Sequence, residues 1–255
     1  MLTAITRAVS SSLAQCELSF IPRTPIDLEK ARAQHHAYEL LLAKLGARVI
    51  SLPEEPALPD SMFVEDPAIV VDELAVICPL GTVTRRKEAP SIAGALEKFR
   101  KLTYVKLPGV LEGGDVLRVG KKAFVGITAR SNPEGIRQLA VILGAFGYDV
   151  TAVPVTGCLH LKSTVTYLGR NIMLGNRAWF DWKRIEGFDW VDVEPTEPHS
   201  GNALAIGDTV IFPASFAKTR ARIEAKGFRV APVDISELQK AESGLTCSSL
   251  LFEAP

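Results

Sequence analysis

Apolar and polar residues alternate in four short paired runs, and each pair is joined by a short polar or glycine-containing turn. The runs are AIVVDELAVICP from residue 68, DVLRVGKKAFVG from 115, TVTYLGRNIMLG from 164 and ALAIGDTVIFP from 203. A two-residue period interrupted by such turns is typical of β-hairpins. The pattern therefore predicts four hairpins of similar length.

The two ends of the chain each contribute one further run. SSLLF, after Cys247, has the pattern of the opening strand of a fifth hairpin, and LTAITRAV over residues 2–9 is the best candidate for its partner. Pairing of these two runs would close the chain on itself.

Helical patterns, each followed by a short strand, separate the hairpins. The predicted helices are DLEKARAQHHAYELLLAKLG, SIAGALEKFRKL, PEGIRQLAVILGAFG, a weaker FDWKRIEGF and FAKTRARIEAKGF, and the strands after them are RVISLP, TYVKLP, DVTAVPV, DWVDVEP and FRVAPVD. A repeat of this size is the signature of solenoids and propellers, and complementary ends favour a closed ring over a solenoid with polar caps. We expect an α/β fold: a five-bladed α/β propeller of ββαβ repeats with pseudo-fivefold symmetry.

Composition indicates how many domains the chain forms, which classes of partner it does not bind and in which compartment it is located. A chain of 255 residues with 47% apolar content is ample for one core, so we expect a single domain over residues 1–255. The 29 basic and 29 acidic residues cancel, which argues against nucleic acid and anionic membranes as partners. No stretch approaches the ~20 apolar residues that cross a bilayer. The four cysteines are too far apart for a C-x-x-C pair, which indicates reduced thiols and a cytoplasmic protein.

Ionisable residues recur just before the first strand of nearly every predicted hairpin. Successive steps along these positions from Glu65 are 47, 48, 42 and 45 residues, so around a fivefold axis they would converge at one height. The positions are Glu65 with Asp66, Glu112, His160, Asn202 and Cys247. Asn202 offers no acid or base, and we expect it to hydrogen-bond within the ring. Gly113 and Gly114 are interpreted as turn residues that allow positive φ.

A cysteine near a histidine is the usual arrangement for covalent catalysis, in which the thiolate attacks and the imidazole moves protons. Carboxylates at the same centre would repel a developing oxyanion and attract a cation. A planar guanidinium matches carboxylate oxygens in bidentate geometry, and its charge favours the thiolate. We therefore expect a small cationic guanidine as the substrate. This chemistry requires neither a metal nor an organic cofactor.

Motifs along nearly the whole chain resemble those of the dimethylarginine dimethylaminohydrolases of the pentein, or amidinotransferase-like, superfamily. They are ITRAVS, AQHHAY, PDSMFVEDPA, TRRKE, PGVLEGGDVL, GITARSN, LHLKS and GLTCSSLLF. The resemblance implies the pentein propeller and hydrolysis of asymmetric dimethylarginine and monomethylarginine. The products would be citrulline with dimethylamine or methylamine, formed through a covalent cysteine thiouronium. Related enzymes also suggest a homodimer.

The resemblance also implies roles for individual residues. Cys247 matches the nucleophile, His160 the general acid and base, and Glu112 the carboxylate that orients the guanidinium. Family substrate-binding positions match Leu18, Asp60, Glu65, Asp66, Arg85, Arg130 and Ala241, of which Leu18 and Ala241 would contribute main-chain contacts. Two features depart from the family pattern: Ser243 stands at a turn position where glycine is expected, and the lid AQCELSF is divergent.

Two other functions fit parts of the pattern. An arginine deiminase acts on unmethylated arginine, but in this superfamily it carries an extra helical domain for which this chain has no room. A non-catalytic pentein, like the ribosome anti-association factor, shares the ring and acts by binding. Such a protein need not keep a cysteine, a histidine and two acids at blade-equivalent positions, so these residues favour the hydrolase.

Overall fold

The structure is a computed structural model that describes residues 1–254, and these residues form five three-stranded sheets. The strands are β1 (Leu2–Arg7), β2 (Arg48–Leu52), β3 (Ala68–Val70), β4 (Leu74–Ile77), β5 (Lys101–Tyr104), β6 (Val116–Val119), β7 (Lys122–Ile127), β8 (Asp149–Pro154), β9 (Val165–Gly169), β10 (Ile172–Gly175), β11 (Asp189–Asp192), β12 (Leu204–Ile206), β13 (Thr209–Pro213), β14 (Arg229–Val233) and β15 (Leu250–Glu253). The helices are α1 (Leu28–Lys44), α2 (Ala89–Leu96), α3 (Pro133–Gly144), α4 (Ala217–Ala225) and the short α5 (Ser236–Gln239).

The five sheets share one topology. In each, the middle strand pairs antiparallel with the strand on one side and parallel with the strand on the other. The first sheet is built from both ends of the chain: β1 pairs with β15, placing Ala4 opposite Leu251, and also with β2, placing Ala4 opposite Val49. The prediction of a five-bladed α/β ring closed by the terminal strands is confirmed.

Local sequence signals explain where the longer helices begin. The Asp27 side chain caps α1 by accepting a hydrogen bond from the Lys30 N–H at 3.0 Å. Asn132 caps α3 in the same way, accepting from the Gly135 N–H at 2.8 Å, and Pro133 follows at the first helical position.

Two predicted helices differ from the structure. The SIAGALEKFRKL helix ends at Leu96, and its last residues belong to β5. The weaker FDWKRIEGF pattern forms only a 3₁₀ turn, Trp182–Arg184, because Phe180 is held in a β-bridge with Val155 beyond β8. The tertiary bridge overrides the local periodicity there.

The apolar core lies between neighbouring blades. Each of five buried clusters is filled from two adjacent blades, including the pair formed by the last and the first. The first strands of all five blades instead line an open cleft of about 450 Å³ at one end of the ring axis. Apolar residues of these strands, among them Ile69, Leu117 and Leu250, also line this cleft.

Within residues 1–254, no helix is both long enough and apolar enough to cross a bilayer.

The ring closure gives a prediction for Phe252. This side chain is buried between the first two blades, with its ring edge-on to Phe99 at 5.5 Å between centroids. Phe252→Ala should lower the free energy of unfolding by about 3 kcal/mol, as expected for a large side chain removed from a core. Urea unfolding followed by circular dichroism measures this. Leu40→Ala, at an α1 position 58% exposed, is the control and should change it by no more than about 0.5 kcal/mol. Equal losses in the two variants would contradict the assigned closure.

Candidate active site

Three short 3₁₀ turns place the candidate catalytic side chains. The turns Gly113–Asp115, Leu161–Ser163 and Thr246–Ser248 precede β6, β9 and β15, which are the first strands of three blades. Glu112 and His160 stand at the start of the first two turns in extended backbone conformation, and Cys247 lies within the third. The repeated architecture therefore supplies the same kind of loop, with a different reactive group in each blade.

Gly114 is required by close packing beside the histidine. A Cβ at this position would lie 2.6 Å from His160 Nδ1 and 2.9 Å from Asp66 Oδ1, and a Cβ on Gly113 would lie 2.1 Å from the Glu65 carbonyl oxygen. Neither glycine has positive φ, so the interpretation of this pair as left-handed turn residues is wrong. Their role is to let the loops of two blades approach.

His160 and Glu112 form a buried pair. His160 Nε2 and Glu112 Oε2 are 2.7 Å apart, and both side chains are almost completely inaccessible. Burial lowers the pKa of His160, but the carboxylates of Asp66, Asp115 and Glu112 outweigh it and raise that pKa to about 9. The imidazole therefore carries a proton near neutral pH and is ready to act as an acid.

Arg85 ties the carboxylates together. Its Nε and Nη2 donate to Glu88 at 3.0 and 2.9 Å, while Nη1 donates to Asp66 at 2.9 Å and lies 4.0 Å from Glu112. Burial raises the pKa of Asp66, but the His160 and Arg85 cations outweigh it and hold the pKa below its ordinary value. Since a guanidinium has five N–H groups, Arg85 retains N–H groups on Nη1 and Nη2 for a ligand.

Arg130 makes fewer hydrogen bonds than Arg85. Its Nη1 forms an ion pair with Glu112 Oε1 at 3.5 Å, but within residues 1–254 this buried atom makes no hydrogen bond. Its Nη2 donates to the Ser19 hydroxyl at 3.3 Å. A buried donor without a partner is costly, so this atom is suited to binding an anionic group.

Metal ligation is limited by the same network. Ligand atoms of Asp66, Glu112 and His160 lie within 4.8 Å of one another, a donor set that could hold a cation. Arg85 Nη1, at 2.9 Å from Asp66 and 4.0 Å from Glu112, competes with a metal ion for these carboxylates.

Cys247 is half-buried and its thiol is held in the neutral form. Burial and the nearby carboxylates of Glu65 and Asp66 raise the pKa of Cys247 to about 12, although hydrogen bonds from the Gly244 N–H and the Ser243 side chain act in the opposite direction. A thiolate is the nucleophile in cysteine chemistry. The site therefore needs an added positive charge before this thiol can attack.

An inner cavity is lined by seven of the ten predicted site residues; Glu112, Leu18 and Glu65 are not part of its lining. Its volume is about 20 Å³, room for about one water molecule. It is lined by Glu17, Asp60, Phe63, Asp66, Arg85, Arg130, Leu159, His160, Ala241, Glu242, Ser243 and Cys247. An outer cavity of about 310 Å³ adjoins it and shares Leu159, Glu242 and Ser243. These three residues form the partition between the two spaces.

Glu65 lies apart from the other predicted residues. Its carboxylate pairs with the Lys162 ammonium and accepts a hydrogen bond from the Thr246 hydroxyl at 2.9 Å. Its N–H donates to the Cys247 carbonyl at 3.3 Å, and it lines the cleft at the other end of the axis, not the inner cavity. Glu65 thus lies behind the nucleophile.

Leu18 lies in a segment held over the inner cavity. The Glu17 N–H donates to Asp60 at 3.1 Å, and the Ser19 N–H donates to Glu242 at 2.7 Å. Leu18 is half-buried between these two anchors, and buried Ala241 lines the cavity itself.

Asn202 and Ser243 show how the nucleophile loop is held. Asn202 accepts from the Leu245 N–H at 2.7 Å and donates to the Lys162 carbonyl at 2.7 Å, which confirms its predicted bonding within the ring. Ser243 does not require left-handed backbone; the positive φ, 56°, falls on Glu242. Serine therefore fits the backbone at position 243 although the family pattern has glycine there.

Three functional neighbours were missed from the sequence. Glu88, Asp115 and Lys162 pair respectively with Arg85, the backbone N–H of Leu161 at 2.9 Å, and Glu65. Each lies in a motif already quoted, TRRKE, LEGGD or LHLK, so the only available signal was their adjacency to a predicted site residue.

Comparison with known proteins decides the family. Residues 21–174 match the family described as "N,N dimethylarginine dimethylhydrolase, eukaryotic". The chain is also similar to the N(G),N(G)-dimethylarginine dimethylaminohydrolase of Pseudomonas aeruginosa, with 34% identity over 89% of this chain and 90% of that protein. The chain belongs to the dimethylarginine dimethylaminohydrolase family.

Two solved structures of dimethylarginine dimethylaminohydrolases have the same fold. One is a histidine-to-glycine variant as an adduct with S-methyl-L-thiocitrulline; it has a TM-score of 0.94 at 32% identity, covering 99% of this chain and 100% of that one. The other, from Pseudomonas aeruginosa, is a cysteine-to-serine variant complexed with citrulline; it has a TM-score of 0.92 at 32% identity and the same coverage.

The charges behind Cys247 give a prediction for this dimethylarginine dimethylaminohydrolase family member. Glu65→Gln removes a carboxylate that disfavours the thiolate and leaves the Lys162 ammonium nearby, so the pKa of Cys247 should fall by about one unit or more. The pH dependence of Cys247 alkylation by iodoacetamide, followed by mass spectrometry, measures this shift.

Lys162→Gln is the matched control and should move the alkylation profile to higher pH, because it leaves the Glu65 charge unpaired. Shifts of the same sign in both variants would show that Glu65 and Lys162 do not act on the thiol through their charges.

Proposed function

We propose that this protein hydrolyses Nω-methylated arginine, namely asymmetric dimethylarginine and monomethylarginine, to citrulline and dimethylamine or methylamine. The observation that carries the proposal is one small cavity that presents the Cys247 thiol, the His160 imidazole, the Asp66 carboxylate and two buried arginines. Relatives that bind citrulline and form an S-methylthiocitrulline adduct support the same chemistry.

The positive charge of the substrate favours ionisation of the Cys247 thiol, which is neutral in the resting site. Asp66 and Glu112 present anionic oxygens near the thiol and imidazole, and a guanidinium is a planar cation that pairs with carboxylates through parallel N–H donors. Its positive charge next to Cys247 offsets the Glu65 and Asp66 charges that disfavour the thiolate. Binding of the cation and activation of the nucleophile are thereby coupled.

The first half of the reaction releases the amine. Once the bound cation lowers the pKa of Cys247, the thiol releases its proton to water. The thiolate then attacks the guanidinium carbon, and the new C–S bond gives a neutral tetrahedral adduct. His160 donates its proton to the methylated nitrogen as the C–N bond breaks. Dimethylamine or methylamine leaves, and a cationic thiouronium remains attached to Cys247 while His160 is neutral.

The second half uses the same imidazole as a base. Neutral His160 takes a proton from water, and the hydroxide adds to the thiouronium carbon. The C–S bond then breaks and its electron pair returns to sulfur. The hydroxyl proton passes to the Cys247 thiolate, which leaves the ureido group of citrulline and restores the neutral thiol. Glu112, at 2.7 Å from His160, holds the ring in place through both halves.

The remaining predicted residues bind the amino-acid end of the substrate. Arg130, with its unpartnered Nη1, and Arg85, with free N–H groups, face the inner cavity and suit the α-carboxylate. Asp60 and the main chains at Leu18 and Ala241 complete this end. Glu65 acts from behind Cys247 and shapes the field at the nucleophile, so its contribution to substrate binding is indirect.

Organisation and location form part of the proposal. The five blades act together as one catalytic domain over residues 1–255, and the protein is cytoplasmic. All four cysteines, within the described part of the chain, are free thiols, which fits a reducing compartment. A homodimer stays a prediction.

A turnover assay tests the reaction. Purified protein should convert asymmetric dimethylarginine or monomethylarginine to a ureido product much faster than it converts arginine. Cys247→Ser should abolish turnover while leaving the circular dichroism spectrum unchanged, and a trapped adduct of the parent enzyme should map by mass spectrometry to the peptide containing GLTCSSLLF. Full activity in Cys247→Ser would refute the covalent mechanism, and preference for arginine would favour a deiminase.

The substrate's far end gives a second test. Agmatine lacks the α-carboxylate, so it should be a poor substrate. Arg130→Ala should reduce kcat/KM for monomethylarginine by at least about tenfold, the value of one charge-assisted hydrogen bond, and leave agmatine's low value nearly unchanged. The structure makes Arg130 a cleaner probe than Arg85, because Arg130 makes one ion pair, with Glu112 at 3.5 Å, whereas removal of Arg85 would unpair both Asp66 and Glu88. Comparable kcat/KM for agmatine and methylarginine in the parent would exclude the amino-acid substrate class.

A further inference from the structure

Glu242 holds the segment that covers the inner cavity. This segment, residues 17–20, is here called the strap. The Glu242 carboxylate accepts hydrogen bonds from two successive backbone groups of the strap, the Ser19 N–H at 2.7 Å and the Phe20 N–H. Backbone N–H groups bonded to an ionised carboxylate make stronger hydrogen bonds than neutral pairs do. Glu242 thus anchors the backbone of the strap at its C-terminal end, where Arg130 Nη2 also donates to the Ser19 hydroxyl at 3.3 Å.

The backbone of Glu242 is unusual for its residue type. Its φ is 56°, in the left-handed region that a non-glycine residue rarely adopts. Such a conformation costs free energy and persists only where surrounding contacts hold it. The Ala241 and Glu242 N–H groups donate to Leu238 and Gln239 carbonyls at 2.9 and 3.2 Å, which fixes the turn after α5. This turn aims the Glu242 carboxylate at the strap.

Glu242 also stands between the two cavities. It belongs to the partition with Leu159 and Ser243 and borders both the inner space of about 20 Å³ and the outer space of about 310 Å³. Phe20, the last residue of the strap, lines the outer cavity. An arginine derivative is far larger than the inner cavity, so the strap or the partition must move for substrate to enter.

We propose that Glu242 is a positioning residue that fastens the strap over bound substrate, and that its release joins the outer cavity to the inner one. The proposal rests on the proposed function for the identity of the substrate. It assigns Glu242 no contact with the reacting atoms. Its effect is to hold the Leu18 main chain at the cavity while Cys247 and His160 act.

The test compares three substitutions of Glu242. Glu242→Ala and Glu242→Gly both remove the carboxylate, but glycine accepts the positive φ without strain. If the carboxylate matters, both should raise KM for monomethylarginine by about tenfold or more, with kcat changed by less than about threefold. Glu242→Gln keeps a neutral hydrogen-bond acceptor, so it should raise KM for monomethylarginine by less. It also tests the proposal if the alanine variant fails to fold.

A readout independent of turnover separates this proposal from the proposed function. In resting enzyme, alkylation of Cys247 by iodoacetamide at one fixed pH should be about tenfold faster in Glu242→Gly than in the parent, because the strap no longer covers the thiol. Exposed Glu186 is the control position, and Glu186→Ala should leave KM and alkylation unchanged.

The outcomes are distinct. Faster alkylation in a protein that fails to hydrolyse methylarginine would retain the strap assignment and reject the proposed substrate. Parent-like alkylation in Glu242→Gly, or a KM for methylarginine within about twofold of the parent, would overturn the positioning role of Glu242.

Discussion

The structure depends on keeping several buried charges paired at the axis of the ring. Glu112 is fully buried, lies 2.7 Å from His160, and has two arginines within 4.0 Å. Burying a carboxylate without such partners costs several kcal/mol, and removing one partner leaves the other charge uncompensated. The blades meet this requirement because each contributes one loop to the same end of the axis. The ring therefore brings these buried charges close enough to one another to pair.

The buried carboxylates also explain why, without substrate, the His160 imidazole carries a proton and the Cys247 thiol is neutral. The carboxylates that raise the pKa of His160 to about 9 include Asp66, and Asp66 also helps to raise that of Cys247 to about 12. Asp66 thus helps to keep His160 protonated and, together with burial and the Glu65 carboxylate, helps to keep the Cys247 thiol neutral. A cationic substrate reverses only the second effect at the point of attack. Selectivity for a cation is then a property of the resting charges as well as of the shape of the cavity.

Much of the fold could be predicted because its strands and helices follow local patterns of apolar and polar residues. The four internal hairpins and the β1–β15 pairing follow from alternating runs, and the fixed steps between Glu65, Glu112, His160 and Cys247 follow from the repeat. Prediction failed where a tertiary contact overrides a local pattern, as at Phe180, whose bridge to Val155 prevents a helix.

Seven of the ten predicted site residues line the inner cavity, but the way in which they pair could not be predicted from the sequence. Arg85 was assigned to substrate alone, whereas the structure bonds it to Asp66 and Glu88, because which acid an arginine meets depends on loops from different places in the chain. Glu65 matched the repeat spacing, yet its side chain turns to Lys162 and away from the inner cavity. Spacing fixes the height of a residue on the axis; the direction of its side chain depends on the neighbouring blades.

The coupling of substrate charge to thiol ionisation is the central claim, and the ionisation of Cys247 tests it directly. The ultraviolet absorbance of the thiolate, taken as the difference between the parent and Cys247→Ser, should be titrated with pH in three states: without ligand, with L-lysine and with L-citrulline. Lysine places an ammonium where the guanidinium would bind, whereas citrulline is neutral there. The account predicts a lower pKa of Cys247 with lysine and little change with citrulline. An ionised thiol at neutral pH without ligand, or equal pKa values with both ligands under saturation, would contradict it.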